Sequence, residues 1–211
     1  MKQYIAEFLG TFALVFCGTG AIIINEQSNN AITHVGVAIT FGLIVMAMIY
    51  TFGEKSGAHI NPAVTIAFAV HKVFPASKVF PYIISQLAGA VAASAVLYLL
   101  FPGSSTLGET EPAGTAMQSL VLEFILTFFL MLTIVNVAEG GKEKGLFAGL
   151  AIGSVVLLEA MFAGPISGAS MNPARSIGPA LVSGSIDTLW IYIAAPLGGA
   201  VFAILVHRLI K

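Results

Sequence analysis

Of the 211 residues, 57% are hydrophobic and only 9% are charged, whereas soluble domains carry about 25% charged residues. The net charge of −1 offers no attraction for nucleic acid, and the single cysteine, Cys17, excludes an internal disulfide. These features exclude an ordinary soluble domain, and we expect a membrane protein with no nucleic-acid partner.

Six apolar stretches reach the length of about 20 residues that a helix needs to cross the hydrocarbon core of a bilayer. They occupy residues 4–24, 32–52, 77–100, 116–138, 145–164 and 187–208. The first stretch lacks the basic region of a cleavable signal peptide, so we expect it to be retained as a span. Short polar segments, rich in turn-forming residues, connect the stretches at 25–31, 101–115 and 139–144.

Two shorter apolar pieces each follow a copy of one motif. Residues 56–63 read Ser-Gly-Ala-His-Ile-Asn-Pro-Ala and residues 167–174 read Ser-Gly-Ala-Ser-Met-Asn-Pro-Ala, so six of the eight positions match. Asn61 and Asn172 are favourable N-caps, and the proline after each suits the first helical position. A helix of about ten residues is about 15 Å long, half the hydrocarbon thickness. We therefore predict two re-entrant half-helices.

The chain also repeats itself. Glu7 and Thr11 in the first span match Glu123 and Thr127 in the fourth, and the two Asn-Pro-Ala copies lie 111 residues apart. Each half holds three spans, an odd number, so the second half enters the bilayer upside down. We predict an all-α membrane protein in which residues 1–211 form one domain, an inverted repeat of 1–105 and 114–211. Its two half-helix starts should meet near the midplane.

The basic residues predict the orientation in the membrane. If both termini are cytoplasmic, the cytoplasmic side carries Lys2, Lys55, Lys72, Lys78, Lys142, Lys144, Arg208 and Lys211. The outer loops then carry Glu26, Glu109, Glu111 and Asp187, without any Lys or Arg. This distribution obeys the positive-inside rule, and we expect a multi-pass protein of the cell membrane. Arg175 alone falls inside the embedded part.

A narrow pore between Asn61 and Asn172 would offer amide donors to a passing water molecule. The N-termini of the two half-helices would add a positive potential that repels protons and cations. One such motif alone could be a capped turn without function. Two copies at the midplane of an inverted repeat favour the pore.

The chain resembles the aquaporin (major intrinsic protein) family in its paired Ser-Gly-Ala-x-x-Asn-Pro-Ala motifs, the Arg after the second copy, the Glu-x-x-x-Thr of each half and the six spans. The resemblance covers essentially the whole chain. It implies a right-handed bundle, a single channel domain with one pore per subunit, and a homotetramer. The pore motifs would be Asn61, Pro62, Ala63, Asn172, Pro173 and Ala174.

In that family the Arg belongs to an outer constriction of four residues, which would be Phe41, Ala160, Ala169 and Arg175 here. A charged Arg inside a membrane costs at least about 2.5–3.5 kcal/mol, so it should face water; an ion pair with Glu159 is the alternative. Water-selective relatives carry a His at the position of Ala160. Two alanines imply a wider slot that suits a polyol or a small neutral hydroxide.

Residues 149–180 are especially similar to the plant nodulin-like intrinsic proteins, a branch that passes glycerol and uncharged metalloid acids such as arsenite. Ser176 departs from the glycerol facilitators, which carry Asp directly after the Arg, and this weighs against a specialised glycerol role. We expect a passive channel for water and small uncharged solutes that excludes protons and ions. A water-selective aquaporin and a proton-coupled transporter that uses Glu7 and Glu123 are the alternatives.

The resemblance also implies that Glu7 and Glu123 each accept hydrogen bonds from the backbone of a re-entrant loop. We expect His59 to brace the first of these loops. Glu159 either supports the outer loop, edges the pore mouth or pairs with a neighbouring subunit. The four His and one Cys show no metal-ligand spacing, and no nucleophile stands beside a base. We therefore expect no metal, no cofactor and no enzymatic activity.

Overall fold

The computed structural model describes residues 1–139 and 145–211, and within those ranges the chain is helical, without β-strands. The helices are α1 (Lys2–Gln27), α2 (Thr33–Ser56), α3 (Pro62–Val70), α4 (Val79–Leu100), α5 (Ala116–Ala138), α6 (Ala148–Ser167), α7 (Pro173–Ser183) and α8 (Leu189–Ile210). A short 3₁₀ helix, Ala76–Lys78, precedes α4. All except α3 and α7 are long and apolar enough to cross a membrane. The predicted all-α membrane fold is confirmed.

The helix ends differ from the predicted spans by a few residues. The largest difference is at the end of α2, which continues to Ser56, while α1 continues to Gln27 and α6 to Ser167. The predicted ends, 24 and 52, were placed where apolar residues give way to polar ones, but a helix continues until a backbone signal stops it. Gly57, with a φ of 84°, supplies that signal for α2. The predicted turn at 139–144 lies outside the described residues except for Glu139.

The two halves of the chain have matching neighbours. Helix α1 packs on α2 and α4, as α5 packs on α6 and α8. Helices α2 and α6 pack on each other across the centre. The short helix α3 packs against α8 of the other half, and α7 packs against α4. The two half-helices are therefore enclosed by long helices from both halves, as irregular backbone in a membrane requires.

Close packing between helices depends on two glycines at corresponding places. A Cβ atom on Gly89 in α4 would lie 2.3 Å from the carbonyl oxygen of Phe8 in α1. A Cβ atom on Gly199 in α8 would lie 2.2 Å from the carbonyl oxygen of Phe124 in α5. Any larger residue would separate these helices, because small residues allow the backbones of membrane helices to approach closely.

The outer surface and the interior have opposite characters. Large apolar side chains such as Phe80, Leu158 and Phe162 are exposed, whereas Glu7, Glu123 and other ionisable groups are buried inside the bundle. This arrangement suits a lipid environment, in which ionisable groups inside the membrane face the bundle interior or a watery cavity. Both chain termini lie at one end of the bundle, which we call the terminal end. There the segment between α3 and α4 meets the start of α1 through Lys78 and Gln3, and the end of α8 meets Val70 through Arg208.

Candidate functional site between the two half-helices

Each half-helix begins with the predicted asparagine cap and proline. The Oδ1 of Asn61 accepts a hydrogen bond of 2.8 Å from the amide N–H of Ala63, and the Oδ1 of Asn172 accepts one of 3.0 Å from Ala174. The proline after each asparagine occupies the first helical position. The caps satisfy donors that a helix start otherwise leaves without a partner.

The side-chain nitrogen of each asparagine forms a hydrogen bond to the loop of the other motif. The Nδ2 of Asn61 donates to the carbonyl oxygen of Met171 at 2.8 Å, and the Nδ2 of Asn172 donates to the carbonyl oxygen of Ile60 at 2.8 Å. A side-chain amide has two N–H donors, so one donor of each asparagine is left for a molecule beside it. The sequence did not reveal that the opposite loop would take the first donor.

The loops before the two helices follow the same unusual backbone path. Ala58 and Ile60 have φ values of 46° and 43°, and the corresponding Ala169 and Met171 have φ values of 42° and 55°. Residues other than glycine seldom adopt such angles, and they persist where the surrounding structure enforces them. The enforcing groups are the two buried glutamates.

Glu7 fixes the first loop from α1. Its Oε1 accepts from the backbone N–H of His59 at 2.9 Å, and its Oε2 accepts from that of Ile60 at 2.7 Å. The Nε2 of Gln86 also donates to Oε2 at 2.7 Å, and to the Oγ1 of Thr65 at 2.9 Å. The sequence did not identify Gln86 as a partner of Glu7, because the two residues lie 79 positions apart in the chain.

Glu123 fixes the second loop in the corresponding way from α5. Its Oε1 and Oε2 accept from the backbone N–H groups of Ser170 and Met171, each at 2.8 Å. The hydroxyl of Ser167 donates to Oε1 at 2.7 Å. Each carboxylate thus receives two consecutive backbone donors and one side-chain donor, which offsets the cost of burying it.

His59 lies in the first loop with its ring between helices. Its Nδ1 is 3.1 Å from the Oγ1 of Thr65, and the ring packs against Phe68, Phe74 and Tyr82 at centroid distances of 4.9, 4.7 and 5.1 Å. The side chain also lines the central cavity. Its contacts are those of a residue that braces the loop.

A cavity of about 420 Å³ runs from the terminal end into the bundle. Glu54, Tyr50 and Leu146 line its mouth, and its wall then includes Asn61 and Asn172. Because both asparagines and both loops border it, the half-helix starts face an open space rather than dry packing.

A second cavity, of about 470 Å³, opens at the opposite end beside Glu26, Glu109 and Glu111. The two cavities share three wall residues: Phe41, Ala160 and Arg175. Ala169 lines the first cavity only. We call the place bounded by these four residues the slot. The fold therefore brings together all four residues that the family resemblance assigned to a constriction.

Arg175 is held at the slot from one side. It is 1% exposed, its Nη1 donates to the carbonyl oxygen of Gly108 at 2.7 Å, and its Cζ lies 5.1 Å from the centre of the Phe41 ring. Its Nε and Nη2 have no hydrogen-bond partner among the described residues. A buried guanidinium with two nitrogen atoms that lack partners can hydrogen-bond a molecule in the slot. No pattern in the sequence of the 101–115 loop marks Gly108 as its partner.

Among the described residues, Glu159 neither edges the pore mouth nor supports the outer loop, and it does not pair with Arg175. Within the part of the chain that the structure describes, it forms no ion pair with Arg175, so that alternative for Arg175 is wrong. It lines neither cavity, so it does not edge the pore mouth. Its Oε2 is enclosed without a hydrogen-bond partner among the described residues, including the outer loop. A pairing with a neighbouring subunit stays a prediction.

Ser176 joins the outer loop to the second motif. Its Oγ accepts from the Oγ1 of Thr110 at 2.7 Å and lies 2.6 Å from the Oγ of Ser170. Ser176, which stands where the glycerol facilitators carry Asp, is therefore the middle member of a chain of three hydroxyl groups. Thr110 was not foreseen, because the loop that carries it is distant in the sequence.

The family model described as major intrinsic protein matches residues 1–207. The chain is 49% identical over 211 residues to aquaporin NIP1-3 of Oryza sativa subsp. japonica, covering 100% of this chain and 74% of that one. It is 46% identical over 212 residues to nodulin-26 of Glycine max, with coverages of 100% and 78%. The X-ray structure of the aquaglyceroporin from Plasmodium falciparum has a TM-score of 0.85 and 29% identity, covering 97% of this chain and 93% of that one.

Proposed function

The chain belongs to the major intrinsic protein family, whose members form membrane channels for water and small solutes, and we propose that its pore passes glycerol and small uncharged hydroxides as well as water. Such a channel is passive and works in both directions, and the family is not enzymatic. The similarity to nodulin-26 and to an aquaglyceroporin supports this solute class.

The composition of the slot is the observation that carries the proposal. Phe41 gives one apolar aromatic wall, and the Nε and Nη2 of Arg175 give a donor edge. Ala160 and Ala169 leave the remaining sides without bulk. A polyol has carbons on one side and hydroxyl oxygens on the other, so its carbons fit against the ring while its oxygens accept from Arg175. Displaced water is thereby replaced by equivalent hydrogen bonds.

Protons and cations are excluded by the charges along the same path. The N-termini of α3 and α7 point toward the two asparagines and carry a partial positive charge. Arg175 adds a full positive charge at the slot. A water molecule that accepts from both asparagines turns its hydrogens away from them, which interrupts a hydrogen-bonded wire for protons.

The proposal extends to the placement of the protein. Both termini face the cytoplasm, because the terminal end carries Lys2, Lys55 and Lys78 while the outer loops at the opposite end carry no Lys or Arg. The membrane is the cell membrane, and the channel is a homotetramer with one pore in each subunit. Residues 1–211 act as one channel domain built from the repeats 1–105 and 114–211, and the motif residues Pro62, Ala63, Pro173 and Ala174 set the two pore helices.

Stopped-flow light scattering of proteoliposomes tests the solute class. Vesicles with the protein are compared with empty vesicles under gradients of sucrose, glycerol and arsenite. The proposal expects faster water flow against sucrose and faster entry of both glycerol and arsenite. Glycerol entry equal to that of empty vesicles, together with rapid water flow, would identify a water-selective channel instead. Uptake that requires a pH gradient would identify a proton-coupled transporter.

A further inference from the structure

Three ligand-type side chains meet at the terminal end of the bundle, away from the pore. His71 follows the last residue of α3, Glu139 follows the last residue of α5, and His207 lies near the end of α8. One ligand atom from each lies within 4.8 Å of the other two. None of the three lines either cavity.

We propose that His71, Glu139 and His207 bind a divalent transition-metal ion of the Zn²⁺ class. Two imidazole nitrogens and one carboxylate are a donor set that zinc accepts, with a fourth position left for water. Ligands around a tetrahedral ion with bonds of about 2.0–2.2 Å lie about 3.4 Å apart, so the observed cluster needs side-chain shifts of only about 1 Å.

The orientation of the rings supports this assignment. The Nε2 of His71 and the Nε2 of His207 both point at Glu139; the second lies 3.0 Å from its Oε2. Both Nδ1 atoms are enclosed and have no hydrogen-bond partner among the described residues. Each ring therefore presents one nitrogen to the cluster. Since zinc-bound histidines are usually steadied by a partner on the other nitrogen, we expect weaker binding than at a structural zinc site.

The present partner of the Glu139 carboxylate is replaceable. The Nζ of Lys211 lies 2.7 Å from Oε2, but its side chain is 64% exposed. Exposed ion pairs of this kind contribute little, so an incoming cation can displace the lysine. The neighbouring Arg208 is turned away and donates to the carbonyl oxygen of Val70 at 2.8 Å.

An ion at this place would tie three helix ends together. It would join the end of the half-helix α3 to the ends of α5 and α8. Phe68 and Ala138, which stand close to His71 and Glu139 in the chain, line the first cavity. The site would therefore stabilise the wall beside the pore entrance without adding a group to the pore itself.

Metal binding by the purified, chelator-treated channel, with any affinity tag removed, tests the proposal. Zn²⁺ is titrated by calorimetry, and Co²⁺ is titrated as a spectroscopic probe whose visible absorption reports a four-coordinate site with nitrogen ligands. We expect one ion per chain and a Zn²⁺-dependent rise in the melting temperature. His71→Gln, His207→Gln and Glu139→Gln should each weaken binding by at least about 10–100-fold, the loss that even outer-sphere changes cause.

The glutamine variants keep side chains that can hydrogen-bond, so helix content and gel-filtration behaviour should match the unaltered chain. Glu54→Gln removes an exposed carboxylate at the same end and is the matched control, and its affinity should not change. Failure of the unaltered chain to bind either ion would overturn the proposal, and so would equal binding by the three variants. Either result leaves the solute measurements on the pore unaffected.

Discussion

Gly18 lies directly behind Phe41, because a Cβ atom added to Gly18 would lie 2.2 Å from the Cε1 atom of the phenylalanine ring. Helix α1 therefore determines the position of the Phe41 ring and, with it, the width of the slot. The ring can occupy this place only while residue 18 has no side chain.

Gly18→Ala should push the Phe41 ring toward Arg175 and narrow the slot. We expect glycerol entry to fall more than water flow, since the larger solute needs the lost space. Stopped-flow permeability of the two solutes measures the ratio. Gly20→Ala is the matched control in the same helix: its added Cβ would meet the Cδ2 of Leu97 at 3.3 Å, away from the slot. Equal losses of both fluxes in Gly18→Ala would contradict the expected displacement.

Ala160→His should fill the slot from the opposite side. A clash that raises the barrier to glycerol passage by about 1.4 kcal/mol lowers glycerol permeability about tenfold. Water, being smaller, should lose less. Ala160→Gly, which removes bulk from the same position, should keep glycerol entry at or above the original rate. If histidine lowers both permeabilities equally, Ala160 is not part of the constriction.

Arg175→Ala should weaken the exclusion of cations. Two charges about 4 Å apart at an effective dielectric constant of 20 interact by about 4 kcal/mol. If removal of Arg175 lowers the barrier to a cation by about a third of this energy, cation permeability rises about tenfold. Proton entry into vesicles that contain a pH-sensitive dye measures the effect. Arg208→Ala removes an arginine outside both cavities and is the control, and it should leave the proton permeability of the vesicles unchanged. If Arg175→Ala also leaves the proton permeability unchanged, there is no charge barrier at the slot.

Glu7→Gln and Glu123→Gln should destabilise the two loops. A glutamine places an N–H group where each carboxylate now accepts hydrogen bonds, and each donor left without a partner costs about 1–3 kcal/mol. Thermal unfolding in detergent measures the loss. Glu159→Gln is the matched control within the membrane, because the Oε2 of Glu159 accepts no hydrogen bond among the described residues. We expect it to unfold at the same temperature or a higher one.

The same variants test the rival transporter mechanism. A proton-coupled transporter would lose gradient-driven uptake in Glu7→Gln and Glu123→Gln while the fold persists. A passive channel should show downhill flux that is independent of the pH gradient in every variant that folds.

Glu109 should give the outer mouth a pH-dependent stability. Burial, together with nearby Glu111 and Glu26, raises the pKa of Glu109 above its ordinary value of 4.5, while hydroxyl donors such as Ser183 oppose the shift. Because the folded chain holds this proton more tightly than the unfolded chain, stability falls as the pH rises through the raised pKa.

Glu109→Gln should therefore unfold at a higher temperature than the unaltered chain at neutral pH. The difference should shrink as the pH falls and vanish below the ordinary carboxyl pKa of 4.5, where both side chains are neutral. Thermal unfolding across this pH range measures it. Asp187→Asn changes an exposed acidic residue at the same end and should show no such trend. A difference that is constant with pH would point to packing instead of ionisation.

The sequence predicted the helices because a bilayer leaves few choices for an apolar stretch of a given length. It also predicted the caps at Asn61 and Asn172, because capping depends on adjacent residues. The bonds from Asn61 to Met171 and from Arg175 to Gly108 were not predicted. Each joins residues that are far apart in the chain, and the backbone group that accepts carries no signature of its own.

The same limit applies to the cluster at the terminal end. His71, Glu139 and His207 are each 68 residues from the next, so no metal-ligand spacing was visible. His71 occupies the C-cap position of α3, and its ring turns to Glu139. The sequence shows the type of each residue and its position along a helix. That three helix ends converge can be seen only in the folded structure.

The exchange of hydrogen bonds between the two motif loops constrains how the protein is made. When the ribosome has translated the first half, Asn61 and Ile60 have been synthesised, but their partners Met171 and Asn172 follow only 110 and 112 residues later. The first loop must wait in the membrane or at the translocon with these groups unmatched. Its final shape is reached only when the second half arrives, so the site between the two motif loops is completed late in biogenesis.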